Sequence, residues 1–246
     1  MMYSFDPNSG EINWRINPEY TTYFNPPAYN GEYVFVTDNG VRAHNGDSGE
    51  EEWNYEFEGT LYTSSTVHLT SSNVVNTSEY GIFAVSQDDG SEQWTFEGSG
   101  EADPSTLATS SDRVIYGDGS NSIYIIDSQS GDTVHQISTS ESTSEIKLVD
   151  NTIYYNDDGI TAFDIDSMNE LWNSDFWTPR LTNNTLYGYL FGAYSDLIVG
   201  IDTFSGEAVL NQSHNPPYDA NPVIVGDYVV LANDSNSLAG YQVVSD

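Results

Sequence analysis

The sequence contains no cysteine among its 246 residues, which excludes disulfide bonds, thiolate catalysis and cysteine-ligated zinc. Basic residues are also scarce, since 5 Lys and Arg stand against 38 Asp and Glu, for a formal net charge of −33. Binding to a phosphate backbone requires clustered Lys and Arg side chains. We therefore expect no nucleic-acid partner.

Long apolar runs are missing as well. The longest, such as residues 197–201, have the length of a β-strand, whereas a membrane-spanning helix needs about 20 apolar residues. Residues 1–6 lack the basic start and the apolar core of a signal peptide. We therefore expect neither a membrane span nor a signal peptide in this chain.

The acidic residues are spread through the whole sequence, which indicates the charged surface of a folded domain. Repulsion among them opposes compaction at low ionic strength. Molar salt shortens the Debye length to about 3 Å and screens that repulsion. The composition resembles that of proteins from halophiles that accumulate salt, and it predicts a fold that needs high salt.

One short pattern recurs along the chain: an apolar strand, an Asp or another small polar residue, a turn of three residues, and a Gly. Residues 125–131 give a complete copy, and the Gly position recurs at residues 10, 49, 90, 131 and 206, with Met168 in the fifth copy. Four residues later most copies have a Trp, which His135 and Leu210 replace in two of them. The spacing of about 40 residues is that of a tandem structural repeat.

Each period has room for four strands of about five residues. In the first period, residues 33–36 and 41–44 are rich in β-formers and flank a turn at residues 38–40. Residues 51–57 alternate polar and aromatic side chains, which is typical of a half-exposed outer strand. No segment has a sustained helical stripe, so we expect essentially no helix.

Four-stranded units of this length are typical of a β-propeller, in which each unit is one blade. The order of Asp, turn, Gly and Trp resembles the pyrrolo-quinoline quinone (PQQ)-like propeller repeat, whose usual form is Ala-x-Asp-x-x-Thr-Gly-x-x-x-Trp. The matching residues are Asp6, Gly10, Trp14, Gly49, Trp53, Gly90, Trp94, Asp127, Gly131, Asp164, Trp172, Asp202 and Gly206. In that family the Gly takes a turn with positive φ and the indole docks between neighbouring blades. The resemblance implies one all-β domain of four-stranded antiparallel blades over residues 1–246.

The number of blades depends on how the ring closes. Residues 11–16 are able to supply the outer strand of a last blade whose other strands come from residues 222–244, which closes a six-bladed ring without free edges. This arrangement is favoured, and it leaves a surplus strand at residues 3–5. A seventh, incomplete blade and a truncated eight-bladed propeller are the open alternatives.

Residues with catalytic or ligand-binding chemistry form no recognisable motif. The acidic pairs at 88–89 and 157–158 fit turns, the glycine-rich segments at 98–100 and 117–119 match no phosphate-binding loop, and the aromatic residues at 175–177 and 187–191 fit blade packing. Metal-binding spacing is absent among the histidines, which are His44, His68, His135 and His214. We therefore assign no catalytic, cofactor-binding or metal-binding residue.

The resemblance also implies a class of function. Similar propellers include the outer-membrane assembly lipoprotein of bacteria, sensor ectodomains and haloarchaeal surface proteins, so we expect a non-enzymatic binding or assembly scaffold at the cell surface or outside the cytoplasm. Its partner would be a protein or small ligand at a loop-bearing face. The calcium site, Trp floor and paired Cys of PQQ-dependent dehydrogenases cannot be placed here, so we expect no cofactor. A quinone-dependent oxidoreductase or other enzyme using the central funnel, and a structural spacer, are the alternatives.

Overall fold

The computed structural model describes residues 1–17, 25–58, 66–79, 81–98, 106–143, 145–174, 180–182, 185, 188–194, 197–213, 222–232 and 238–242. Within these ranges the chain forms β-strands and no α-helix. None of these residues belongs to a helix of the length and apolarity that crossing a membrane requires. The chain divides into two compact units, Met1–Ile137 and Ser138–Asp246.

The first unit begins with a hairpin and continues with antiparallel sheets in which each strand pairs with the next along the chain. The hairpin consists of β1 (Met2–Phe5) and β2 (Ile12–Ile16). The first four-stranded sheet consists of β3 (Ala28–Tyr29), β4 (Tyr33–Thr37), β5 (Gly40–Asn45) and β6 (Glu51–Glu56). The second consists of β7 (His68–Leu69), β8 (Asn73–Ser78), β9 (Gly81–Ser86) and β10 (Glu92–Glu97). The third consists of β11 (Leu107–Thr109), β12 (Arg113–Gly117), β13 (Ser122–Asp127) and β14 (Thr133–Ser138), whose last residue passes the boundary.

The second unit repeats this order. Its first sheet consists of β15 (Ile146–Val149), β16 (Thr152–Asn156), β17 (Ile160–Asp164) and β18 (Asn169–Ser174). The next consists of β19 (Arg180–Leu181), β20 (Tyr189–Tyr194), β21 (Leu197–Asp202) and β22 (Ala208–Ser213). A three-stranded sheet of β23 (Val223–Val225), β24 (Tyr228–Ala232) and β25 (Leu238–Gln242) follows.

Burial falls from the inner strands of a sheet to its outer strand. Five of the six residues of β9 are buried, whereas β10 buries only Trp94. Side chains point alternately to the two faces of a strand, so a strand buried on both faces must lie between two neighbours. Both faces of the second sheet are covered: Phe83 and Val85 pack against the first sheet, and Ile82 and Ala84 pack against the third.

The pairing of third and fourth strands contains a bulge at the same place in several sheets. The register shifts between Ala43 and His44 in the first sheet, between Ala162 and Phe163 in the fourth, and between Gly200 and Ile201 in the fifth. A bulge re-aims the side chains that follow it. The Trp of the fourth strand follows the bulge in the first and fourth sheets.

The segment predicted to close the ring has a local partner. As β2, it pairs with β1, with Ser4 opposite Trp14 and Tyr3 opposite Arg15. The strand at residues 3–5 is therefore the hydrogen-bonded partner of β2. The predicted number of six blades and the single domain over residues 1–246 stay predictions.

Candidate functional site

Each Trp of the repeat reaches the turn of the following copy. Its indole Nε1 donates a hydrogen bond to a backbone carbonyl there, which satisfies the one polar atom of a ring that is otherwise apolar. The four bonds are Trp14 to Gly46 O (2.8 Å), Trp53 to Gln87 O (3.0 Å), Trp94 to Ser128 O (3.0 Å) and Trp172 to Thr203 O (2.9 Å). The same contact therefore joins one copy to the next in both units.

The turn Gly of the following copy lies against the same indole. A Cβ atom would come within 2.8 Å of Trp14 at Gly49, 2.5 Å of Trp53 at Gly90, 2.7 Å of Trp94 at Gly131 and 2.6 Å of Trp172 at Gly206. These glycines also have φ between 71° and 75°, a region that side chains disfavour. Glycine is thus required for two separate reasons, the turn conformation and the space for the ring.

At two positions of the repeat, the requirement for the turn conformation is distinguished from the requirement for space beside the Trp ring. Gly10 has φ of 72°, but a Cβ atom added there would have nothing within 4 Å, so only the turn conformation requires glycine. His135 replaces the Trp in one copy, and the following copy has Met168, with φ of 54°, in place of the Gly. The sequence therefore loses the Gly where it loses the Trp.

The small polar residue before the turn fixes the turn by side-chain hydrogen bonds. Asp127 Oδ1 accepts bonds from the backbone N–H of Gln129 and Ser130, each 3.0 Å long. Asn45 accepts the same pair of bonds in the first sheet. Hydrogen bonds, the largest from the Ser three residues on, lower the pKa of the carboxyl groups at these turns, which are Asp6, Asp127, Asp164 and Asp202.

A polar cavity of about 110 Å³ lies between the hairpin and the first sheet. We call it the Arg42 cavity. Its lining consists of Ile16, Asn17, Val36, Asp38, Arg42, His44 and Glu51. Arg42 Nη1 donates to Glu51 Oε2 at 2.7 Å, and Arg42 Nε lies 3.5 Å from Asp38 Oδ2. The side chain of Arg42 is 8% exposed and that of Asp38 2%, so these charges are buried.

His44 contributes a neutral imidazole to the Arg42 cavity. Its Nδ1 lies 3.2 Å from the carbonyl oxygen of Gly49, and since a carbonyl only accepts, Nδ1 must carry the proton. Burial lowers the pKa of His44 below its ordinary value, which keeps Nε2 deprotonated at neutral pH. Nε2 is buried and has no hydrogen-bond partner among the residues that the structure describes.

A family model described as "Outer membrane protein assembly factor BamB" matches residues 2–153, which is more than half of the chain. The chain belongs to this family. None of the proteins with curated descriptions matches the sequence significantly.

Solved structures agree with the BamB-family assignment at the level of the fold. The crystal structure of BamB from Moraxella catarrhalis has a TM-score of 0.73 at 17% identity, over 95% of this chain and 80% of that one. The computationally designed Ika8 protein has a TM-score of 0.80 at 12% identity, over 98% and 77%. The fold is therefore an all-β propeller of four-stranded antiparallel blades, as the repeat predicted.

Other residues considered in the sequence lie in turns, on strands or outside the described ranges; His68 is on β7, His135 on β14 and residues 189–191 are on β20. Asp157 Oδ1 accepts a 2.7 Å bond from Ser140 N, and Asp118 is fully buried and caps the turn at Ser120. In the described part of this BamB-family chain, no group of three or more His, Asp or Glu is arranged to hold a metal ion. Residues 175–177 and His214 lie outside the described residues.

The Arg42 cavity is the feature that sequence reasoning missed. The pattern of residues 41–44 predicts an ordinary strand, and it does not link Arg42 and His44 to Asp38 or Glu51. A signal was present: one strand of a sheet that is covered on both faces carries two of the chain's few basic or imidazole side chains on one face.

Proposed function

We propose that this BamB-family propeller is a non-enzymatic binding or assembly scaffold. The observation that carries the proposal is the family match over residues 2–153, because the family is described as an assembly factor. Tandem blades joined by the same Trp contact make a rigid framework. Such a framework presents loops whose sequences are free to vary.

The partner would bind at the end of the blades where the longer connections emerge. The connection from β6 to β7 and that from β10 to β11 are longer than the tight turns that join strands within a sheet. Both emerge at the same end of their sheets as the turn between the second and third strands. Binding residues are concentrated on loops held by rigid scaffolds, so this end is the proposed contact face.

We also propose that the scaffold works in molar salt, as a halophilic protein, and that residues 1–246 form one domain of about six blades. The formal charge of −33 supports the need for molar salt.

The Trp and Gly residues of the repeat serve blade docking in this proposal. Their hydrogen bonds and close approaches in both units support that role.

Capture and cross-linking from the native host, at about 2 M KCl to screen surface charge, tests the proposal. Lys147 is the only lysine, so the cross-linker must react with carboxyl groups. We expect one protein partner, with cross-links clustered at the end that bears the sheet-to-sheet connections. Cross-links distributed evenly over both ends, or no reproducible partner, would contradict a scaffold with a defined contact face.

A second assay addresses the alternative of a quinone-dependent enzyme. Titration with PQQ and Ca²⁺ should neither quench tryptophan fluorescence saturably nor produce dye-linked alcohol oxidation. Stoichiometric PQQ binding with turnover would replace the scaffold by an oxidoreductase.

A further inference from the structure

We propose that the hairpin of β1 and β2 docks an extended strand of another protein, one that carries a Trp and, two residues later, a Tyr or a Phe. The docking surface consists of Tyr3, Phe5, Ile12 and the turn at residues 6–10, and we call it the hairpin face. It is separate from the loop-bearing end of the blades, so the inference does not depend on the proposed scaffold function. It rests on an unfilled Trp position of the repeat and on the aromatic contacts seen at two filled ones.

The hairpin contains the outer half of one copy of the repeat. β1 precedes the turn that ends at Gly10, and β2 carries Trp14, so they correspond to the third and fourth strands of the sheets. Asp6 Oδ1 accepts bonds of 2.8 Å from the backbone N–H groups of Asn8 and Ser9. The N–H of Gly10 donates to the carbonyl of Asp6, also at 2.8 Å. These are the bonds that fix the other turns, so the turn that receives a Trp elsewhere is preformed here.

No indole of the described residues lies on this turn. In the filled copies the indole contacts the Gly and donates to the carbonyl three residues before it, at Gly46, Gln87, Ser128 and Thr203. The corresponding carbonyl in the hairpin is that of Pro7. A Cβ atom at Gly10 would have nothing within 4 Å, and both Gly10 and Pro7 are exposed. Each of the four Trp residues that dock already donates to another turn, so none of them is left for Pro7.

The strand beside this turn is exposed where other third strands are covered. Phe5 is 55% exposed and Tyr3 42%, whereas Phe83, Val85 and Ile126, at level positions counted from the turn Gly, are fully buried. In the second and third sheets, these residues pack against the sheet that precedes them. The hairpin face is therefore the surface on which a preceding outer strand docks in the rest of the first unit.

The exposed residues of the hairpin form one apolar patch. The rings of Tyr3 and Phe5 stack with their centroids 5.9 Å apart. Ile12, which is opposite Phe5 in the hairpin, is 54% exposed. Contiguous apolar patches on a protein surface mark sites of interaction. Together with the unfilled turn, this patch indicates that the hairpin face has a partner.

Two filled copies show which strand fits. Two residues after the Trp, the fourth strand carries Tyr55 in the first sheet and Phe96 in the second. The ring of Tyr55 lies 5.6 Å from that of Phe83, and the ring of Phe96 lies 5.0 Å from that of Tyr124. Phe83 and Tyr124 are level with Tyr3 when counted from the turn Gly. A strand with Trp-x-Tyr or Trp-x-Phe therefore places its indole on the turn and its second ring on Tyr3.

Charge indicates that this strand belongs to a different protein. Both Trp-x-aromatic strands of the described residues are already docked through Trp53 and Trp94. Two copies of a chain with a formal charge of −33 also repel each other. Asp6 and Glu11 flank the unfilled turn, and Lys or Arg on an incoming strand would complement them. The partner is a protein with a basic, Trp-bearing strand.

The test is the binding of a dye-labelled peptide, measured by fluorescence anisotropy at about 2 M KCl, which screens surface charge. The peptide has the sequence of residues 91–98, with Lys in place of both glutamates to remove like-charge repulsion. We expect saturable binding of one peptide per chain. Peptides with Ala in place of the Trp or of the Phe should each bind about tenfold more weakly, because aromatic anchors carry much of the energy of such contacts. Equal affinity of the three peptides would overturn the proposal.

Tyr3→Ala in the chain tests the place of binding. Tyr3 is exposed, so this variant should fold with an unchanged circular dichroism spectrum, and its affinity for the peptide should fall about tenfold. Phe204→Ala is the matched control, because Phe204 is 94% exposed and lies on a turn of the fifth sheet. It should bind the peptide as the wild type does. A Tyr3→Ala variant that binds with wild-type affinity would place the peptide elsewhere and contradict the proposal.

Sedimentation equilibrium of the chain alone, at the same salt concentration, separates the other occupants. We expect a monomer in the wild type and in Tyr3→Ala. A wild-type dimer that Tyr3→Ala dissociates would show that a second copy covers the hairpin face. A folded monomer that binds no peptide would show that another part of the chain covers it. Either result would overturn the assignment to a separate protein.

Discussion

In the first unit, the first sheet and the third sheet differ in the side chains that face the preceding element of the chain. That element is the hairpin for the first sheet and the second sheet for the third. The third sheet presents Tyr124 and Ile126 to Ala84 and Trp94, in one hydrophobic cluster. The first sheet presents Arg42 and His44 to the hairpin that contains Trp14. Yet Trp94 and Trp14 make the same hydrogen bond to the next turn, at 3.0 and 2.8 Å.

This difference shows that the hydrogen bond from the Trp to the next turn forms beside an apolar face and beside a charged one. The Trp and the Gly act at the outer strand and the turn, and they are the same beside an apolar face and beside a charged one. The residues at these third-strand positions differ from sheet to sheet, while the outer contact is kept. In the first sheet these positions line a polar cavity.

The largest effect on the stability of the fold should come from the salt concentration, which acts on the sheets with apolar faces and on the sheet with the charged face alike. Exposed carboxylates repel one another at low ionic strength, and neither kind of face offsets a formal charge of −33 without screening. We expect loss of the β-sheet circular dichroism signal at about 50 mM KCl and recovery at about 2 M, where the Debye length is far shorter. Equal thermal stability at both concentrations would show that the apolar faces suffice.

Trp94→Ala should be the most damaging single substitution of the comparison. Trp94 is 7% exposed, and truncating a buried Trp costs about 3–5 kcal/mol. Trp14→Ala should cost less, because Trp14 is only half-buried. Urea unfolding in about 2 M KCl measures both, with the salt held constant to maintain screening. A larger loss for Trp14→Ala would mean that the polar face depends more on its Trp than the apolar face does.

Gly131→Ala and Gly10→Ala separate the two requirements for glycine. Both residues have positive φ, 75° and 72°, so each substitution carries a left-handed penalty of about 1–2 kcal/mol. Gly131→Ala also forces a Cβ to within 2.7 Å of Trp94. We therefore expect a clearly larger loss of unfolding free energy for Gly131→Ala, measured in the same urea experiment. Equal losses would show that the ring moves aside without cost.

The smallest effect should be a pH dependence of the unfolding free energy that comes from His44 on the charged face of the first sheet. Burial lowers the pKa of His44 below 6.5, so the unfolded chain binds a proton more readily than the folded chain. The contribution of neutral His44 is fully present above about pH 6.5 and is lost as the pH falls below it. His44→Val should flatten the fall in unfolding free energy between about pH 6.5 and 5. Asp38, Arg42 and Glu51 face His44, and an unchanged slope would assign the titration to other groups.

The propeller fold could be predicted from the sequence because the repeat requires particular residue types at fixed positions. Trp14 and Gly49 are readable because only an indole makes the long contact and only Gly combines positive φ with space for the ring. The capping role of Asp127 is not evident in the pattern without the turn geometry. For the Arg42 cavity the sequence carried only the signal of Arg42 and His44 on one face of a strand, because Glu51 and Asp38 reach Arg42 through strand pairing and a tight turn. The closure of the ring and the number of blades stay predictions, because they depend on long-range pairing.

The most direct test of the separation between docking and packing is a double-mutant cycle on Trp94 and Gly131. In the Trp94→Ala background the ring is absent, so Gly131→Ala should cost only the turn penalty of about 1–2 kcal/mol and match Gly10→Ala. The coupling between the two sites should then be favourable and exceed the additivity error of about 0.5 kcal/mol. If Gly131→Ala costs the same with and without the indole, the Trp and Gly act independently, and their pairing is not what docks one blade on the next.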